Sequence, residues 1–549
     1  MPTIELRHVT KRWGGYYGVD DLSMLIDDNS FVTLLGPSGC GKTTTLRMIA
    51  GLETPTSGRI TIGDQVVFDS EKGIDVPPNK RRVGFLFQNY ALWPNMTIYK
   101  NIAFGLANVH EELPVVDDDA VHASGMLRAL ADPGEILRLV SAARSDKGKL
   151  DETRALSALI NAFEISTSAA KEILPLGLRA SGAEDAKMTA KREQYETKLQ
   201  QIRSRHESAG TGLDEKFRVT DSDGTVRTAN RKLSSQQIDL RVREVARTVR
   251  IGPFMDRYPS ELSGGQQQRV AIARTLAPEP RVLFMDEPLS NLDAKLRLEM
   301  RSELQRLHIE TGSTFVYVTH DQGEAMTLAT RICLLDNAVL QQYDAPLEVY
   351  SRPANLFTAD FVGNPPINLL AARDHQQTDD GVSVTVLDGQ KLVFTPSEAL
   401  DIHEWLDTHR TSDAKAERES AGRRAAEGHP AKENTSSSFH HEPLTTGDPE
   451  DTPELANPDP AELLLGIRPE FVVIRDSGAF EAEVYSSMPT GLETTVRLRV
   501  GRFLLTSVLF GGSTFAIGDR VRFDFQDDQA MLFSAQNGRW IIGGSVHRE

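Results

Sequence analysis

Continuous apolar runs mark the two ends of the first 350 residues. Phe31-Val32-Thr33-Leu34-Leu35, Val83-Gly84-Phe85-Leu86-Phe87, Arg281-Val282-Leu283-Phe284-Met285 and Ser313-Thr314-Phe315-Val316-Tyr317-Val318 do not alternate with polar residues. Runs of this length and kind predict strands buried on both faces of a parallel sheet. Ile4, Leu6 and Val9 predict shorter strands at the start. A helix is predicted from Thr43 to Ala50, closed by Gly51, and a helical region after Gln88 reaches to about Leu106. Alternation of strand and helix resumes over 238–350, which implies a helix-covered parallel sheet. Between these stretches, 107–237 changes character, with scattered acids and few aromatics. Leu156, Leu159, Ile160 and Phe163 fall on one helical face. A long polar helix is expected over 183–207. Phe217-Arg218-Val219-Thr220 and Thr225-Val226-Arg227, flanking Asp223-Gly224, predict a hairpin. This block reads as a small domain of its own. Beyond about 365 the pattern turns all-β. Val382, Val384 and Val386 alternate up to an Asp388-Gly389 turn, and Leu392 and Phe394 return. Short strands resume at Leu463 and recur near 482–486, 495–500, 503–509 and 519–525, predicting a small barrel. It is interrupted at 408–460, a stretch rich in Glu, Ala, Ser, Pro and His that is expected to be a disordered loop.

Length and charge narrow the picture. A chain of 549 residues makes two to four domains at ~100–200 residues each. The 39% hydrophobic and 25% charged residues are those of a globular protein. A net charge of −17 disfavours nucleic acid as a partner, because phosphate neutralisation needs basic surface. No apolar run approaches the ~18–20 residues that span a bilayer, and the start of the chain lacks the pattern of a signal peptide. Any membrane contact is therefore expected to pass through partners. Cys40 and Cys333 are the only cysteines, which excludes a disulfide framework and fits a reducing cytosol. Cys40 has two readings, a small residue that suits its loop or a redox switch.

The candidate chemistry begins directly after the first apolar run. Gly36, Pro37, Ser38, Gly39, Cys40, Gly41, Lys42, Thr43 and Thr44 form a phosphate-binding loop leading into a helix. Glycines let backbone N–H groups approach phosphates, Lys42 adds a point charge, and Thr43 offers a hydroxyl to Mg²⁺. Asp286, at the end of another apolar run, can hold Mg²⁺, and Glu287 can accept a proton from an attacking water. Ser263, Gly264, Gly265 and Gln266 open a further helix and make a second anion cradle. One ATP does not need two such cradles from one subunit. The economical arrangement is a head-to-tail homodimer in which each cradle faces the other subunit's ATP.

These motifs, in this order, resemble the ATP-binding subunit of an ABC transporter. The resemblance covers about 1–106 and 238–370, and more weakly the C-terminal barrel. It implies an α/β fold, a P-loop cassette with a parallel sheet core, an antiparallel β subdomain and a helical subdomain, followed by an all-β OB-like barrel. It implies that Gln88 contacts Mg²⁺ and water and links ATP to membrane domains. It also implies that Asp293, in Ser290-Asn291-Leu292-Asp293, acts across the dimer, that His320 touches the γ-phosphate, and that Trp13 stacks on adenine. Asn89-Tyr90-Ala91-Leu92-Trp93-Pro94, Gly363-Asn364-Pro365-Pro366 and Gly466-Ile467-Arg468-Pro469-Glu470 are similar to importer ATPases for sugars, of the maltose and multiple-sugar type. Polyamine, iron and glycerol-phosphate importers share much of this. The implied organisation is a cassette at 1–106 and 238–350, an insertion at 107–237, a connector at 351–370 and a regulatory barrel at 371–549. The implied partners are two polytopic membrane subunits and a solute-binding protein, at the cytoplasmic face of the membrane. A soluble cassette ATPase acting on a regulatory partner is the alternative. In relatives the segment between Leu106 and Ile238 is short. Here it is either a tolerated surface insertion, since loop closure costs grow slowly with length, or a partner-binding arm.

Overall fold

The computed structural model describes residues 3–106, 111–144, 149–179, 186–387, 389–409, 422–423, 425, 462–501 and 503–549. The chain divides into two compact units, Met1–Arg81 with Thr314–Glu549, and Arg82–Ser313.

In the first unit the run at 31–35 forms the strand Phe31–Leu35, buried throughout. Parallel strands Thr314–Val318 and Arg331–Asp336 flank it, so that Val318 and Cys333 both pair with Leu34. Val339–Asp344 adds an antiparallel strand beside Arg331–Asp336. Burial on both faces is why these sequences carry no polar alternation. The helix Lys42–Ala50 follows Phe31–Leu35 and ends on Gly51 in the left-handed conformation. The N-terminal strands Ile4–Trp13, Tyr16–Ile26, Ser57–Ile62, Gln65–Asp69 and Ile74–Asp75 make an antiparallel sheet.

The C-terminal part of this unit is all-β. Strands Asn368–Thr378, Gly381–Val386, Gln390–Pro396, Trp540–Arg548, Ala530–Ser534 and Leu463–Ile467 close a six-stranded barrel in that order. The segments foreseen near 482–525 lie instead in a five-stranded antiparallel sheet beside it, with Val472–Ile474, Arg520–Phe525, Phe480–Pro489, Glu493–Val500 and Phe503–Phe510 as neighbours. One core joins the two sheets, with Phe394, Leu465 and Leu532 from the barrel and Val484, Leu498 and Phe523 from the open sheet. Asp388, and nearly all of the expected loop at 408–460, lie outside the described residues.

In the second unit Val83–Leu86 pairs in parallel with Val282–Asp286, Phe85 opposite Phe284. Helices Ile98–Leu106, Ser235–Thr248, Gly264–Leu276 and Ala294–Thr311 belong to the same unit. The segment 107–237 is organised around its own stem. Glu111–Pro114 pairs with Thr228–Arg231, so the segment leaves and returns at adjacent points. Five helices follow the stem, Asp118–Leu130, Pro133–Ala142, Glu152–Phe163, Thr167–Arg179 and Ala186–Ser208. Asp117, Asp132 and Asp151 cap the first three by accepting a backbone N–H three residues on. The expected face is used: Leu159, Ile160 and Phe163 are buried with Met126, Val140 and Ile173. The expected turn at 221–225 closes through the Asp221 N–H on the Thr225 carbonyl at 2.9 Å. Its strand Val219–Thr220 finds its main partner in Gly212–Leu213. At the edge of the segment, buried Asp239 accepts the Thr167 N–H and hydroxyl at 2.9 and 3.0 Å and the Arg243 Nε at 3.1 Å. Burial, and then the Asp239 charge, push the neighbouring Tyr99 phenol up to about 12.

Candidate active site

In the first unit the phosphate loop leaves the strand Phe31–Leu35 under tight constraint. A Cβ at Gly36 would lie 2.1 Å from the Leu335 carbonyl oxygen, so only glycine lets the loop pass this close to the neighbouring strand. At Gly39, φ +81°, a Cβ would meet nothing within 4 Å. The space above that residue is open, and Ser38 and Gly39 are exposed. Gly41 caps the helix Lys42–Ala50 and brings no side chain to its N-terminus. The first-turn N–H groups and the helix dipole therefore face the loop's mouth. Lys42 is only 7% exposed. Its Nζ donates to the carbonyls of Gly36 at 2.8 Å and Pro37 at 2.7 Å, folding the cation back over the loop. Thr43 and Thr44 are half-buried on the first turn. Cys40 is buried, and burial pushes its thiol up despite the Lys42 charge 3.8 Å away. A protonated buried thiol is a weak nucleophile, which favours the reading of a small residue filling the loop.

Trp13 and Tyr16 face each other across the first hairpin, with Gly14-Gly15 at its turn. Their rings stack at 6.4 Å, and Trp13 is 50% exposed. The Tyr16 hydroxyl approaches the Gly39 carbonyl at 3.5 Å, which places this aromatic pair beside the phosphate loop. Gly18 leaves room for the indole, since a Cβ there would lie 2.6 Å from it. His320 lies on an exposed turn after the strand Thr314–Val318. Buried Glu324 anchors that turn by accepting the Tyr317 hydroxyl at 2.7 Å and the Thr319 hydroxyl at 2.8 Å. Asp321 caps the next helix, Gln322–Leu328, on the Glu324 N–H at 2.9 Å. Sequence reasoning passed over Glu324. The signal was the Asp-x-x-Glu spacing at a helix start.

In the second unit Asp286, 6% exposed, ends the strand Val282–Asp286. Glu287 follows in left-handed backbone, φ +45°. A non-glycine residue there is strained, and such strain concentrates at functional sites. The Gln88 side chain donates to the Glu287 carboxylate at 3.3 Å, and Asn291 donates to the Gln88 carbonyl at 3.2 Å. The Ser290 hydroxyl closes the turn on the Glu287 carbonyl at 2.9 Å. Gln88, Glu287 and Ser290 thus form one cluster from two distant stretches of chain.

The second cradle is built as expected of a helix N-terminus. Ser263 and Gln266 form a reciprocal capping box at the start of Gly264–Leu276. Gly265 is pressed against Leu296, where a Cβ would come within 2.6 Å of the side chain, while Ser263 and Gly264 are exposed. Asp293 caps the helix Ala294–Thr311 by accepting the Leu296 N–H at 3.0 Å.

A model of the ABC transporter family matches residues 19–290, and one of the TOBE domain matches residues 465–533. The chain is 37% identical over 381 residues to the "Trehalose/maltose import ATP-binding protein MalK" of Thermococcus litoralis, covering 69% of each protein. This chain belongs to the ABC transporter ATP-binding family. It is also 37% identical over 378 residues to the "Xylose/arabinose import ATP-binding protein XacJ" of Haloferax volcanii, covering 69% of this chain and 66% of that relative. Against the "sn-glycerol-3-phosphate import ATP-binding protein UgpC 3" of Rhizobium etli the identity is 32% over 400 residues, with 73% and 78% covered. As an ABC ATPase the chain converts ATP and water to ADP and phosphate. Thr43 in the first unit, and Asp286 and Gln88 in the second, each carry a hard oxygen of the kind that Mg²⁺ takes. Among the described residues no group of three or more His, Cys, Asp or Glu forms a protein-only cage.

Proposed function

We propose that this ABC ATPase energises an importer, with sugars as its cargo. The observation that carries the reading is a chain with two anion cradles and an acidic pair intact, whose relatives are named as import ATP-binding proteins for sugars. A glycerol-phosphate importer is the second reading, favoured by the relative named for sn-glycerol-3-phosphate.

The residues then take these roles. Trp13 stacks on adenine. The backbone of Gly36–Gly41 and the first turn at Lys42–Thr44 hold the phosphates, and Lys42 swings from the loop carbonyls to the outer phosphates. Thr43, Gln88 and Asp286 hold Mg²⁺, which when bound neutralises charge building on the phosphates. Glu287 takes a proton from the attacking water, Gln88 holds that carboxylate and senses the nucleotide, and His320 donates to the γ-phosphate. Ser263, Gly264, Gly265 and Gln266 meet the ATP of a second copy, with Asp293 beside the dimer axis.

No helix among the described residues is long and apolar enough to cross a membrane. We assign membrane contact to partners, two polytopic subunits served by a solute-binding protein, at the cytoplasmic face. An exposed aromatic pair in the second unit, Trp93 and Phe104 at 5.4 Å, supports a docking surface there. Affinity capture of the intact protein from solubilised membranes, read by mass spectrometry, tests the proposal. Two polytopic subunits and a sugar-binding protein are the expected partners. Recovery of soluble partners alone, held through 107–237, would overturn it.

A further inference from the structure

One of the contacts from the barrel to the helices that follow the cassette sheet is a buried side chain, Arg468. Arg468 is fully buried. Among the described residues no carboxylate is bonded to its guanidinium. Instead it donates to the backbone carbonyls of Ala359 at 2.9 Å, Val362 and Tyr350 at 2.8 Å. It also lies over the Tyr350 ring at 4.0 Å. Two short helices, Pro346–Ser351 and Leu356–Phe361, therefore end on one planar fork. A guanidinium can read three carbonyls in fixed directions, which an ammonium cannot. A buried cation is costly to leave unbonded, and the Nε of Arg468 already lacks a partner, so losing one of the three carbonyls would add to that cost; this holds the segment 359–363 against the barrel.

The next link is equally directional. Gln322 donates from its amide to the Phe361 carbonyl and accepts the Gly363 N–H at 2.9 Å. Gly363, φ +136°, lies so close to the guanidinium that a Cβ would come within 2.7 Å of Arg468 Nη1. Gln322 opens the helix capped by Asp321, two residues beyond His320. The far side of the same turn is fixed by Glu324. The turn thus has one anchor inside the cassette and one that runs through Gln322 to the barrel.

We propose that Arg468 is a positioning residue for ATP hydrolysis: it fixes the segment 359–363, through which Gln322 sets the turn that carries His320. The inference rests on the reading of His320 given above. A shift of the barrel would reach the γ-phosphate contact without touching the phosphate loop. It therefore alters turnover and spares nucleotide binding.

Steady-state ATPase kinetics of the full chain test this with Gln322→Ala and Arg468→Lys. Misplacing a reacting group by about 1 Å can cost ~100-fold, so loosening one of two anchors is expected to lower kcat about tenfold. The KM for ATP should stay within about twofold, the mark of an interaction that acts in the transition state. The double variant should be no slower than the slower single, because both lie on one path. Unchanged kcat in Gln322→Ala overturns the proposal, as does a parallel loss of ATP affinity and thermal stability. Gln322 is only half-buried, so that variant decides the matter even if Arg468→Lys does not fold. His320→Ala separates the two readings. If it hydrolyses ATP normally, the role of His320 fails; if it is inactive while Gln322→Ala is normal, only the coupling fails.

Discussion

A methyl group meets opposite surroundings at Gly36 and at Gly39. At Gly36 it would collide with the Leu335 carbonyl at 2.1 Å, and a backbone oxygen in a buried strand cannot step aside. At Gly39 it would meet nothing within 4 Å, and on the proposed reading it would stand where a phosphate is to sit. Gly39→Ala is therefore expected to lose only ~1 kcal/mol of stability, from its left-handed backbone. It should weaken ATP binding at least about tenfold, the equivalent of one lost charge-assisted bond. Gly36→Ala should lower the melting temperature with or without ATP. Thermal melts at several ATP concentrations distinguish the two, and equal destabilisation by both would contradict a cradle at Gly39. The same scale holds the acid–base step. Glu287→Gln keeps the shape of the side chain that Gln88 contacts but removes the proposed proton acceptor. Hydrolysis should fall ~10²–10⁴-fold, with ATP still bound. Normal single-turnover hydrolysis in that variant would remove Glu287 from the reaction.

Among the elements, the segment 107–237 has the properties of an inserted domain. Its stem brings Pro114 opposite Thr228, and its core is made from its own helices. Leu159→Ala should cost ~2–5 kcal/mol within that segment, since the side chain is fully buried. Hydrogen exchange should rise in its helices while the ATPase rate is unchanged. A fall in ATPase matching the rise in exchange would mean that the segment supports the cassette. Acid should loosen the segment as well. Asp117 is half-buried, and the loss of solvent by itself raises its pKa. The hydrogen bond with His206, the Ala120 N–H and the Arg205 charge outweigh that and hold the carboxyl below its ordinary range. A carboxyl depressed in the fold adds stability that is present above about pH 4 and lost as pH falls through its lower folded value. Protection of the Asp118–Leu130 amides, as exchange corrected for the pH dependence of the intrinsic rate, should therefore fall below about pH 4 in the full chain, and unchanged protection to about pH 2.5 would refute it. What was legible in the sequence follows the same physical divide. The strands Phe31–Leu35, Val282–Asp286 and Thr314–Val318 announce themselves because burial on both faces leaves no polar residue. The phosphate loop announces itself because ligand geometry forces its spacing. The strands Ala530–Ser534 and Trp540–Arg548 went unforeseen. The first is short, and the second mixes half-buried and buried positions with Gly543-Gly544 inside it. Arg468 could be quoted as part of a motif, but its three carbonyl partners lie more than a hundred residues away in the chain. No local pattern encodes that.

At the scale of the whole molecule, the two cradles decide how many copies make a working enzyme. Ser263 and Gly264 are exposed at a helix N-terminus, and the phosphate loop belongs to the other compact unit. If each cradle serves the ATP of a second copy, two dead variants should repair each other. Lys42→Ala spoils the phosphate loop and leaves the Ser263–Gln266 cradle intact. Gly264→Asp does the reverse. A carboxylate at the first helical position suits the helix dipole but repels a phosphate. A Cβ there would meet Leu292 at 3.8 Å, an ordinary contact, and Gly264 is exposed, so the fold should tolerate it. Each variant alone should be inactive. In an equal mixture about half of the dimers pair the two kinds, and each holds one site with both halves sound. ATPase activity should then return to roughly a quarter of normal, as pairing in a symmetric dimer with independent sites requires. Activity should rise with protein concentration as pairing proceeds. If the two cradles of one copy served the same ATP, no mixing ratio would restore hydrolysis. The mixture, assayed at several concentrations, thus distinguishes a shared pair of sites from a self-sufficient monomer, whatever solute the importer carries.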